Sequence, residues 1–169
     1  MASTIQLGLR AFQFLMILLT LSLIGNVIQE AFAGNSSSIN YAMFVSVFDM
    51  VVILWGLGCA FRPDFGFGFG IVAADALATL FTVIAGIVLA AKLDVHSCGN
   101  DSYVLSNPLT NGSNNPRKRC HELQASTAFF WFAFAAFVGS LVMSFMSGGS
   151  SFKSPRGGIR QGGPSMSQV

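Results

Sequence analysis

Charge is what this sequence has least of: nine basic and seven acidic side chains in 169 residues, 9% in all. Soluble domains carry roughly a quarter charged residues, so a soluble globular domain is excluded. The net charge of +2 is too small to mark a nucleic-acid partner, and no basic patch is interleaved with aromatics. Histidine occurs twice and cysteine three times. His96 and His121 sit beside Cys98 and Cys120, but the H-x-C and C-H spacings match no zinc finger, and a disulfide would consume the thiolates. No glycine-rich phosphate loop lies on a strand-to-helix turn, and no serine or cysteine has a credible base. The chain therefore reads as neither an enzyme nor a metal or cofactor protein.

What the sequence has instead is length without charge. The runs Ala11 to Gln29 and Leu123 to Phe152 carry no charge before the terminal tail, and Ile39 to Phe61 and Phe65 to Ala91 carry one acid each, Asp49 and Asp75. About 20 mostly apolar residues cross a bilayer. The expected architecture is all-α: an integral membrane four-helix bundle, with helices at about 8–30, 39–61, 66–91 and 124–146, an outer loop at 92–123, and residues 1–146 forming one domain. A competing reading takes "AFAG", Ala31 to Gly34, as a signal-peptide cleavage site. The preceding apolar stretch is long for a signal sequence.

The first and third connections fall on one side of such a bundle. They hold three glycosylation patterns, at Asn35, Asn100 and Asn111, and the cysteine pair Cys98 and Cys120. A disulfide persists in an oxidising space, and closing this loop contributes about 3 kcal/mol in the chain-entropy picture. Both loops are therefore expected outside and both termini in the cytosol. The positive residues, five inside against four outside, favour the same orientation weakly. Residues 147–169 are dominated by Gly, Ser and Pro, with Lys153, Arg156 and Arg160 and no acid. Such a segment reads as a disordered cytosolic tail, drawn to anionic lipid or solvated. Cys59, near the inner end of the second helix, is either a palmitoylation site or a small buried hydrophobe.

Intramembrane acids are costly and by default functional candidates. Asp49 and Asp75 each lie near the middle third of the bundle. They serve either a proton- or cation-linked site or a structural one, hydrogen-bonded to Gln13, Asn26, Thr79 or Thr82 or paired with Arg10. A transporter normally shows more spans or broken helices, which favours the structural role. The alternation in "DFGFGFG" is too short for a strand in lipid. At helical spacing, Gly66, Gly70, Ala74, Ala78, Thr82, Gly86 and Ala90 make a row of small residues expected to pack against a helix of the bundle or of a second copy.

With "INYAMF" at 39–44, "HSCGNDSYVLSN" at 96–107, Cys120 followed by "LQAS", Asp75, "AGIVLA" at 85–90 and a terminal "SQV", the chain resembles the MARVEL-domain tetraspans and, more closely, the fungal non-classical export protein family. That resemblance implies a plasma-membrane resident of eisosome-type furrows that responds to sphingolipid status. It further implies contact with sphingolipid or sterol, with eisosome scaffolds or kinases through the tail, and an association with unconventional secretion. A homo-oligomer fits the small-residue row.

Overall fold

The computed structural model describes residues 4–32, 34–61, 68–94 and 96–148. They form α1 (Thr4–Gln29), α2 (Ser37–Phe61), α3 (Gly68–Leu93), a short α4 (Asp101–Ser106) and α5 (Pro116–Gly148). All but α4 are long and apolar enough to cross a membrane. At about 1.5 Å per residue each is longer than the roughly 30 Å hydrocarbon layer.

The four long helices stand in a ring. α1 packs on α2 and α5, and α3 packs on the same two, so that α1 and α3 face each other across one diagonal and α2 and α5 across the other. The shared core runs from Ile17 and Ile24 of α1 through Val45 and Ile53 of α2 and Leu89 of α3 to Phe130 and Phe137 of α5, all fully buried. Large side chains also cover the outside: Phe12, Val51, Leu54, Leu80, Ile87, Phe132 and Phe145 are exposed. A helix apolar on every side fits a bilayer rather than water.

Several boundaries differ from the sequence expectation: α1 starts at Thr4 rather than about 8 and α2 at Ser37 rather than 39, and two further differences have local reasons. α5 begins at Pro116, eight residues before the expected start at 124. Proline suits the first helical position, and the Asn115 carboxamide oxygen accepts the Lys118 N–H at 3.1 Å as an N-cap. The charged stretch "RKRCHE" hides this turn from a reading based on apolar runs. The connection between α3 and α5 is accordingly shorter than 92–123, and it contains α4, which stops before Asn107 and Pro108 because a residue preceding proline is driven out of the α region. α3 stops at Leu93, followed by Asp94 in the left-handed region at φ 48°, a C-terminal stop that aspartate tolerates better than most residues.

The row of small residues on α3 is divided by the helix itself. Ala78, Thr82 and Gly86 are buried, Gly70 and Ala74 are half-buried, and Ala90 is exposed. An i+4 step turns about 400° at 3.6 residues per turn, so a strict i+4 row drifts about 40° per step and leaves any single face. The buried face instead mixes steps of three and four, through Asp75, Ala78, Thr82, Ala85, Leu89 and Leu93. Gly86 meets α5: a Cβ there would lie 3.5 Å from the Trp131 ring. Gly66, the first of the row, lies outside the described residues, as do Lys153, Arg156 and Arg160.

Candidate functional site: polar layers in an apolar bundle

Three polar layers interrupt the apolar interior. The first lies near the end remote from the long loop, about 8 to 12 Å in from the helix ends at about 1.5 Å per residue. Arg10 of α1 grips Asp75 of α3 with two parallel bonds, Nη1 to Oδ1 at 2.7 Å and Nη2 to Oδ2 at 2.5 Å, with 4% and 1% of the two residues exposed. This fork-on-carboxylate geometry is one that arginine provides and lysine does not.

The pair reaches across the bundle diagonal, and the other helices build its seat. Arg10 Nη1 also donates to Gln13 Oε1 at 3.3 Å, and Gln13 Nε2 donates to Ala136 O at 3.0 Å and Ser140 Oγ at 2.8 Å on α5. From α2, Gly56 offers only hydrogen: a Cβ there would stand 2.7 Å from Arg10 Cζ. One ion pair thus engages all four membrane helices. A buried arginine or aspartate costs several kcal/mol unless paired, so each residue requires the other.

The second layer is near mid-bundle. Asp49 of α2 and Thr82 of α3 are fully buried, with Asp49 Oδ2 and Thr82 Oγ1 2.7 Å apart. Asp49 Oδ1 has no hydrogen-bond partner. On the same two helices the rings of Phe44 and Phe48 on α2 pack against Phe81 on α3, at centroid distances of 6.0 and 5.3 Å.

The third layer caps the loop end. Cys98 and Cys120 are joined in a buried disulfide, Cα to Cα 5.7 Å, with Val104 and Tyr103 packed on it. Both thiols are thereby consumed, and the His96 ring lies edge-on to Tyr103 at 4.8 Å. The last carbonyls of α3 find partners in this loop: the Tyr103 hydroxyl donates to Leu93 O, and Asn107 Nδ2 donates to Lys92 O at 2.9 Å. Buried Arg119 then ties the two loops together, donating to Leu109 O at 2.8 Å, Val27 O at 2.8 Å and Asn35 Oδ1 at 3.0 Å. Asn26 Nδ2 donates to Glu122 Oε1 at 2.6 Å, linking α1 to α5.

At the rim the ion pairs are wet. Arg117 holds Asp101 with bonds of 2.7 and 2.5 Å, and this hydrogen bond keeps the Asp101 carboxyl below its usual range. Lys118 does the same to Glu30 at 2.5 Å.

The three glycosylation patterns lie at this one end, in different settings. Asn111 is exposed. Asn100 is exposed and its Oδ1 accepts the Ser102 hydroxyl at 2.7 Å. Asn35 is half-buried, its Oδ1 taken by Arg119 and its Nδ2 donating to Ile28 O at 3.4 Å. Cys59, the cysteine outside the disulfide, is half-buried.

Two residues central to these layers carry no signal in the sequence. Gly56 is one of 18 glycines, and Arg119 sits in a basic run that reads as solvated surface. Aromatic "AFFWFAFAAF" is also divided: Phe130 and Phe137 fill the core, the partly exposed Trp131 lies against Gly86 of α3, and Phe132 faces outward.

The description "MARVEL: Membrane-associating domain" fits residues 2–143. The chain is 33% identical over 169 residues to Non-classical export protein 2 of Saccharomyces cerevisiae, covering 95% of each chain. It is 33% identical over 165 residues to Non-classical export protein 102 of Candida albicans, again covering 95% of each. A Non-classical export protein 2 homolog of Schizosaccharomyces pombe is 29% identical over 136 residues, 79% of this chain and 73% of that one. No solved structure matches.

Proposed function

The chain belongs to the MARVEL family of membrane-associating domains, and from that premise we propose that it is a non-enzymatic organiser of plasma-membrane microdomains of the eisosome type. In this reading it answers to sphingolipid status, and the names of its relatives supply a link to non-classical export. The loops face outward and the termini the cytosol. Residues 147–169, with Lys153, Arg156 and Arg160, meet an anionic leaflet and a cytosolic scaffold or kinase, and lipid or a second copy covers the outer faces.

The observation that carries this reading is the Arg10–Asp75 pair. A transporter built on Asp49 and Asp75 needs carboxyls that meet an aqueous path. Here Asp75 is neutralised by an arginine braced from the other helices, and both acids are at most 1% exposed. What the bundle offers its surroundings is an outer face of Phe, Leu, Ile and Val on all four helices, a surface for ordered lipid. The disulfide and the three glycosylation patterns at one end support the outward placement of the loops.

The test is expression of the full chain, fluorescently tagged, in a yeast lacking its own non-classical export proteins, alongside proteoliposomes of the same protein assayed for proton and cation flux. Restored membrane patches that disperse when sphingolipid synthesis is blocked, without flux, support the organiser. A flux abolished by Asp49→Asn, with patches unaffected, overturns it in favour of transport.

A further inference from the structure

A hydrogen count at mid-bundle assigns a protonation state. Thr82 Oγ1 lies 2.6 Å from Ala78 O and 2.7 Å from Asp49 Oδ2. Both separations are within the range of O–H···O hydrogen bonds, so each contact holds a hydrogen. A hydroxyl has one hydrogen to give, and the Ala78 carbonyl has none. Several other hydroxyls on these helices spend theirs on the carbonyl one turn back: Thr20 on Met16, Ser46 on Ala42, Thr79 on Asp75, Thr127 on Leu123. With Thr82 doing likewise, the second hydrogen comes from Asp49.

The surroundings agree. The elements packed on α2 are α1 and α3. From α1 the charged side chain turned inward is Arg10, already held by Asp75 and seated against Gly56, two turns or about 10 Å along α2 from Asp49. From α3 it is Asp75 itself, and Lys92 and Asp94 stand at the far end of that helix. Glu30 lies just beyond the end of α1, bonded to Lys118. No cation among the described residues faces Asp49, and its Oδ1 lacks any donor. An anion with one bare oxygen in the middle of a lipid-embedded bundle is heavily penalised, whereas a neutral acid leaves only a carbonyl unmatched.

We propose that Asp49 is a proton-binding site: a neutral carboxylic acid whose Oδ2–H donates to Thr82 Oγ1, which in turn donates to Ala78 O. The two intramembrane acids then hold opposite states, Asp75 a carboxylate fixed by Arg10 and Asp49 an acid fixed by Thr82. Loss of that proton leaves Thr82 with one hydrogen for two acceptors, Ala78 O and the Asp49 carboxylate, and so weakens the polar link between α2 and α3.

Infrared spectra of the full chain in lipid nanodiscs at neutral pH test this. The parent should show the carbonyl stretch of a protonated carboxylic acid, absent from Asp49→Asn and displaced but present in Thr82→Val. An independent reading needs no variant: with carboxyl-labelled aspartate, solid-state NMR of the parent should show one carboxyl carbon in the acid form at neutral pH. A parent with every aspartate ionised, or an acid band that survives Asp49→Asn, overturns the assignment.

Discussion

Arg10 and Asp75 stand 65 positions apart on helices at opposite corners of the ring, yet their side chains meet in a two-bond ion pair inside the bundle. Neither helix touches the other's backbone closely. The pair is therefore a strut across the interior rather than a contact between neighbours, and it makes the bundle sensitive to single changes in places that look unremarkable in sequence.

Removing one partner strands a buried charge. Arg10→Leu or Asp75→Leu should each lower stability by about 3 to 5 kcal/mol, while the double variant should recover most of the loss, since an apolar pair of similar volume replaces a buried ion pair at little cost. Thermal unfolding in detergent or nanodiscs, compared across the four proteins, checks the recovery.

Gly56 should not tolerate a methyl group. A Cβ 2.7 Å from Arg10 Cζ must displace the guanidinium or part the helices, an overpacking cost of about 1 to 3 kcal/mol. Gly58→Ala, where nothing lies within 4 Å, should be neutral or gain up to about 1 kcal/mol from helix propensity. The same melts separate the two.

Loss of the Cys98–Cys120 bridge should loosen the loop end and spare the spans. The chain-entropy scale puts the bridge at about 3 kcal/mol. Hydrogen exchange should rise in α4 and the first turns of α5 in Cys98→Ser, with the centres of α1 to α3 unchanged.

Arg119→Met should do comparable damage at the same cap. It leaves Val27 O, Leu109 O and Asn35 Oδ1 without their donor, and a buried group left unsatisfied costs about 1 to 3 kcal/mol. Faster proteolysis of the segments around Asn35 and Leu109 is the expected readout.

The Asp101–Arg117 pair sets an acid limit on the same loop. Asp101 is held below its ordinary value near 3.8, so the folded loop binds its proton less readily than the unfolded chain does. The stabilisation is present above that ordinary value and disappears as pH falls through the lowered one. Amide exchange in α4 should accelerate on acidification below the ordinary carboxylate range, and Asp101→Asn should flatten that dependence.

Much of this molecule is legible before folding is considered. A chain with so few charges, most of them outside four apolar stretches of helix length, crosses lipid as helices, because each such helix satisfies its own backbone there. The short connections make successive spans neighbours, and the alternation of four spans places the long loop and the first loop at the same end. Apolar runs fail at α5, whose first turns are charged; the signal there is local, Asn115 before Pro116.

What composition and spacing leave open is which polar groups meet. Arg10 stands in reach of either intramembrane acid by sequence, with Gln13, Thr79 and Thr82 as further candidates. The ring arrangement decides it, because Arg10 lies at the depth of Asp75 and two helical turns from the level of Asp49, and Gly56 alone leaves room for the guanidinium to cross. The apolar runs determined that there would be four helices, since burial of backbone in lipid depends on composition. Only their packing decided the charge of each acid, since that depends on the atoms that come within hydrogen-bonding distance.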